Sequence, residues 1–126
     1  ATGAAGNGSA GGDEAREIGG VKVLGKIVDG LDANGQRQLS DTLLARLKSG
    51  VVVLGRKDEG KASIIVRVSA DLTDKVKAGN IVKEIVPLLG GRGGGRPDMA
   101  EGGGPDADKL GEAIEASYVA IGRMVA

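Results

Sequence analysis

Between Gly90 and Gly104 the chain reads Gly-Gly-Arg-Gly-Gly-Gly-Arg-Pro-Asp-Met-Ala-Glu-Gly-Gly-Gly. Eight of these fifteen residues are glycine and two are arginine, a composition suited to holding an anion. Consecutive exposed amides can form a concave anion site, and arginines add paired donors for phosphate oxygens. The candidate contacts are Arg92, the amides of Gly93, Gly94 and Gly95, and Arg96, with Gly102 and Gly103 at the far end of the run. Lys75, Lys77 and Lys83 would extend the surface. Asp98 is expected to accept backbone N–H bonds within the loop and to orient Arg96. A glycine-rich run also suits a flexible linker. Against that, Pro97 fixes its own φ and pushes Arg96 towards an extended conformation, and periodic apolar segments flank the run on both sides.

The rest of the composition narrows the chemistry. The 126 residues contain no cysteine and no histidine, which excludes thiolate metal sites and removes the commonest general base. Asp98 and Glu101 alone would make a thin metal site, and no Gly-Lys-Ser or Gly-Lys-Thr follows the glycines as a phosphate-loop NTPase requires. No catalytic residue, metal ligand or cofactor site is therefore expected in this segment. With one tyrosine and no Phe or Trp, base stacking is not expected to carry recognition, so a nucleic acid would be held by phosphates, 2′-hydroxyls and shape. Tyr118 itself is expected in the core with a wet hydroxyl. Net charge is zero, but residues 46–97 carry eleven basic and five acidic side chains, so a positive face can still form.

The elements that must position the run follow from periodicity. Residues 1–17 are rich in Gly and Ala and are read as a flexible linker or tail, with the globular domain over 18–126. Val21 to Val28 alternates as a half-buried strand with Gly25 a weak point or bulge, and Asp29-Gly30 turns the chain. Asp32 is a predicted N-cap for a helix whose stripe is Leu39, Leu43, Leu44 and Leu47, closed by Gly50 in the left-handed region. Val51 to Leu54 reads as a strand buried on both faces, completing a right-handed βαβ unit. Asp58-Glu59-Gly60 predicts a hairpin turn into an antiparallel strand over 62–69. Asp71 should cap one helical turn and Asn80 a second helix, which Pro87 either kinks or ends near Val86. After the glycine loop, Met99 to Gly102 is expected as a short edge strand, then a helix with the stripe Leu110, Ile114, Tyr118, Ile121 and Val125. The fold class is α/β: one small domain, a mixed sheet of about four to five strands and three main helices, in the order β-α-β-β-α-loop-β-α.

The fifteen-residue run closely resembles the signature at the C-terminal end of alanyl-tRNA synthetases, in the module called the DHHA1 domain. Ala70-Asp71-Leu72-Thr73-Asp74-Lys75-Val76-Lys77-Ala78-Gly79-Asn80 and Gly19-Gly20-Val21-Lys22-Val23-Leu24 are similar to the same module. The resemblance covers roughly Ile18 onwards and implies a non-catalytic, cytoplasmic domain of an alanine–tRNA ligase that engages the tRNA elbow. It would help link aminoacylation with editing and have the parent chain's catalytic and editing domains as partners, a homodimer in some members, and no membrane. The family's ATP and zinc sites are expected elsewhere in the parent chain. Two alternatives stand beside it: the substrate-binding domain of a DHH-type phosphoesterase, whose glycine motif carries a histidine where this chain has Arg96, and a dimerisation module.

Overall fold

The computed structural model describes residues 16–28, 32–58 and 60–125. Six strands are present: β1 (Arg16–Ile18), β2 (Val21–Val28), β3 (Val51–Asp58), β4 (Lys61–Val68), β5 (Arg92–Gly95) and β6 (Met99–Gly104). The helices are α1 (Ala33–Leu47), α2 (Ala78–Ile85) and α3 (Leu110–Val125). The strands form one mixed sheet in the order β1-β2-β3-β4-β6-β5, in which β2 and β3 are parallel and every other pair is antiparallel. The α/β class and three helices match expectation. The sheet has six strands where four to five were expected, because β1 begins at Arg16 and because the first part of the glycine run is itself a strand. The expected turn at Asp29-Gly30 lies outside the described residues, as do residues 1–15 and Glu59.

Alternation along the strands sends side chains to two layers. Val51, Val53, Ile64, Val66 and Ala100 pack with α2 and α3 on one side, while Val52, Leu54 and Ile65 pack with the leucines of α1 on the other. Val51 to Leu54 is fully buried on both faces, as its unbroken apolar run implies. Burial of each such side chain contributes about 1.5–3 kcal/mol. β2 is buried on both sides as well, through Val23 and Leu24, and not on one face only.

Gly25 is no bulge. It sits in the regular β2–β3 ladder, and α3 lies over it. A Cβ there would overlap the hydroxyl of Tyr118 and come within 2.8 Å of Ile114, and one on Gly55 would come within 2.9 Å of Leu110. Leu110, Ile114 and Tyr118 recur every fourth residue, so the two missing side chains let that stripe settle close to the sheet. Tyr118 is half-buried with the Arg16 guanidinium 4.1 Å above its ring, and burial pushes its hydroxyl pKa up. It is thus a packed residue and no open platform for a base.

The helix ends depart from the sequence expectation in informative ways. Asp32 caps α1, accepting from the Gly35 N–H at 2.8 Å. The residue that closes the other end is Lys48, with φ 67°, and Gly50, at φ 159°, is nearly extended and not in the left-handed helical region expected of it. Gly50 is needed for close approach, since a Cβ there would meet the Lys22 carbonyl at 2.5 Å. Asp71 lies inside a 3₁₀ turn (Ala70–Leu72) and does not cap it. Its carboxylate accepts from Ser49 Oγ at 2.5 Å, and hydroxyl donors from Ser49 and Ser69 hold its pKa below 3.8. α2 begins three residues before Asn80 was expected to cap it, with Lys77 at the cap position. It ends at Ile85, and Pro87 stands near the start of a 3₁₀ turn over Val86–Leu89, where its missing N–H costs nothing.

Candidate nucleic-acid interface

The glycine run folds as a β-hairpin. β5 pairs with β6 through Arg92↔Gly103, Gly93↔Gly102, Gly94↔Glu101 and Gly95↔Ala100. Two expectations are corrected here. Met99–Gly104 is an interior strand between β4 and β5, and the sheet's edge is formed by the glycines Gly93 to Gly95 with Arg92. The amides of those glycines belong to extended chain and do not line a concave loop. The Arg96 N–H bonds the Met99 carbonyl at 2.9 Å, which sets the phase of the ladder. Antiparallel alternation then turns Gly94 towards β6 and aims the amides of Gly93 and Gly95 at the open edge.

Most of the glycines answer to packing. A Cβ on Gly93 would stand 2.6 Å from Val82 Cγ1, one on Gly102 2.6 Å from Val86 Cγ1, and one on Gly103 2.5 Å from the Ala62 carbonyl. α2 therefore lies directly on the backbone of the hairpin. The same closeness holds on the helix, where a Cβ on Gly79 would come within 2.7 Å of the Gly95 carbonyl.

The hairpin tip is held by its backbone. The Pro97 carbonyl accepts from the Ala78 N–H at 2.8 Å, and the Asp98 carbonyl accepts from the Val68 N–H at 2.9 Å. Asp98 thus contributes its main chain. Among the described residues no backbone N–H donates to its carboxylate, which lies 3.6 Å from Arg96 Nε with both side chains exposed. An exposed pair of this kind is worth about 0–1 kcal/mol, so it leaves Arg96 available to a stronger anion.

Of the sequence-predicted residues, Gly95, Arg96, Asp98 and Lys77 meet at the tip, because Lys77 adjoins Ala78. The Lys77 ammonium donates to the Thr73 carbonyl at 2.9 Å. Lys75 is exposed in the turn before it. Arg92 and Gly103 lie at the opposite end of the hairpin, in register with Ser63 and Arg56 across the sheet. Arg92 is exposed and, among the described residues, makes no ion pair. Glu101 is excluded from a shared site with Asp98, since Arg37 on α1 takes it in a two-point hydrogen bond of 2.6 and 3.2 Å. That bond and the carboxylate's charge push the Arg37 pKa up. Among the described residues no three carboxylates gather as a metal site.

One polar cluster went unread in the sequence. Gln36, almost fully buried under α1, donates from Nε2 to the Leu54 carbonyl at 2.9 Å, and its Oε1 accepts from Arg56 Nε and Ser63 Oγ, each at 3.3 Å. Gln36 and Ser40 extend the leucine stripe of α1 by one turn, but their polarity hides them from an apolar count.

The profile of the DHHA1 domain matches residues 20–121. Proteins named alanine–tRNA ligase from Shewanella loihica and Desulfosudis oleivorans are 48% identical to the chain over 102 and 111 residues, covering 81% and 88% of it. The chain spans only 12% and 13% of the length of these curated relatives. Among solved structures, the C-Ala domain of Aquifex aeolicus alanyl-tRNA synthetase superposes with a TM-score of 0.80 at 29% identity, over 86% of this chain and 98% of that one. A DHH-domain member of the s1p family of ribosomal proteins shares the fold alone, with a TM-score of 0.63 at 17% identity, over 87% of this chain and 28% of that one.

Proposed function

The chain belongs to the DHHA1 domain family, and we propose that it serves an alanine–tRNA ligase as a non-catalytic domain that holds the elbow of tRNA. Its role is to keep one tRNA in reach of separate aminoacylation and editing activities in the parent chain. The observation that carries the proposal is the exposed β5 edge, where Arg92 and Arg96 stand on a hairpin stiffened by α2 and fastened at its tip. Such a ribbon offers guanidinium forks and two outward amides to a phosphodiester backbone without ordering a flexible loop on binding. The near absence of aromatic side chains suits recognition of shape over sequence.

The partners proposed are the tRNA, the catalytic and editing domains of the parent chain, and a second copy of the domain. The setting proposed is cytoplasmic, and among the described residues no helix is long and apolar enough to cross a membrane. ATP and zinc belong, in this proposal, to other parts of the parent. The phosphoesterase alternative draws support from the fold alone.

Titration of a labelled alanine-specific tRNA transcript across a salt series tests the proposal. Affinity should fall linearly on a log–log plot as counterions are released. Failure to bind at low salt would overturn it. Light scattering with and without the transcript separates RNA binding from self-association.

A further inference from the structure

Among the eight glycines between Gly90 and Gly104, Gly94 stands apart. The other seven would bring a Cβ within 3.0 Å of a neighbour, in two cases with a positive φ as well. A Cβ on Gly94 would meet only the flexible end of Lys83, with Cε at 3.6 Å, which is ordinary contact. Packing does not ask for glycine there.

Three cations frame this position. Arg92, Gly94 and Arg96 fall in one row of the strand by two-residue alternation, with the arginines about 13 Å apart at about 3.3 Å per residue. Lys83 reaches the middle of that row from α2. Among the described residues neither Arg92 nor Lys83 has an ion pair, and Arg96 has only the exposed Asp98. Glu101, opposite Gly94 in the ladder, is already engaged by Arg37, and Glu84, beside Lys83 in sequence, is engaged by Arg123. Three like charges with one exposed carboxylate, Asp98, among them repel one another and favour an anion between them.

We infer that Gly94 is the point where a phosphodiester group of the bound RNA lies against the protein backbone, and that Lys83 is a phosphate-binding side chain there. The inference rests on the RNA-binding proposal above and deepens it by naming the contact. The missing side chain lets the phosphate reach the strand, and the three cations close around it from both ends and from the helix.

The experiment uses the whole chain and an unmodified tRNA transcript over a salt series. Lys83→Gln removes the charge and keeps the helix propensity, with a side chain one atom shorter. It should weaken binding about threefold to tenfold and reduce the salt slope by about 1, with Lys83→Arg restoring both. Gly94→Ala should weaken binding at an unchanged melting temperature. If both variants bind like the parent while Arg92→Ala/Arg96→Ala weakens binding, this inference fails and the RNA-binding proposal stands. If the parent chain binds no RNA, both fail. Equal binding of poly-glutamate would also overturn the inference, since the frame would then take any polyanion.

Discussion

Two hairpins in one sheet are held together in opposite ways. β3–β4 is filled with Val, Ile and Leu that bury almost completely on both faces. β5–β6 has the same antiparallel ladder but carries almost no apolar side chains, and it is held by backbone lying against α2. In the first, side chains supply the energy and the backbone follows. In the second, the absence of side chains lets α2 and the 3₁₀ turn after it come close, so the energy comes from Val82 on the helix and Val86 in the turn. The difference has a functional side. A strand with nothing to bury can sit at the edge and present only arginines, where an apolar strand would invite aggregation.

The contrast can be broken most strongly in the first hairpin. Leu54→Ala should lower stability by about 2–5 kcal/mol, read as a fall in the denaturant midpoint, because the cavity would open between β3 and α1. In the second hairpin, enlargement is the harmful change. Gly102→Val should cost about 1–3 kcal/mol by forcing Val82 and Val86 away, seen in the same measurement. A stable Gly102→Val protein would mean that the hairpin does not rest on close packing. Arg92→Ala/Arg96→Ala sharpens the comparison from the other side. Stability should stay within about 0.5 kcal/mol, while tRNA binding weakens by about 1–3 kcal/mol if both reach charged oxygens.

The smallest effect lies in the turn that joins the two regions. The Asp71 carboxyl is held below 3.8 by hydroxyl donors, Ser49 first. A depressed carboxyl adds stability above its unfolded value and loses it as pH falls through the folded one. Ser49→Ala should therefore raise the Asp71 titration towards the ordinary aspartate value by NMR and lower stability slightly at neutral pH, the difference fading as pH falls through the folded value. An unmoved titration would show that Ser49 does not hold the carboxylate.

Legibility in the sequence followed burial. The α1 leucines, the run Val51 to Leu54 and the stripe of α3 were visible because each buries a continuous apolar face. Pro87 marked the end of α2 because it lacks an N–H wherever it sits. The β5 strand was hidden, since glycine has low strand propensity and three in a row show no alternation. Asn80 misled for a related reason. α2 starts earlier because the Pro97 carbonyl, arriving from the hairpin tip, accepts from the Ala78 N–H and stands in for a capping side chain. Gln36 was overlooked because its partners come from two strands remote in the chain.

Composition and periodicity alone settled that this is one small α/β domain with an aliphatic core and without histidine or cysteine chemistry. The resemblance carried by the glycine run identified its family. Tertiary structure decided the rest: that the run is a strand, that seven of its glycines answer to neighbours, and that Lys83 meets Gly94. The physical reason is that a glycine records only that a side chain is missing. What fills the space beside it is known only when the partner elements are in place.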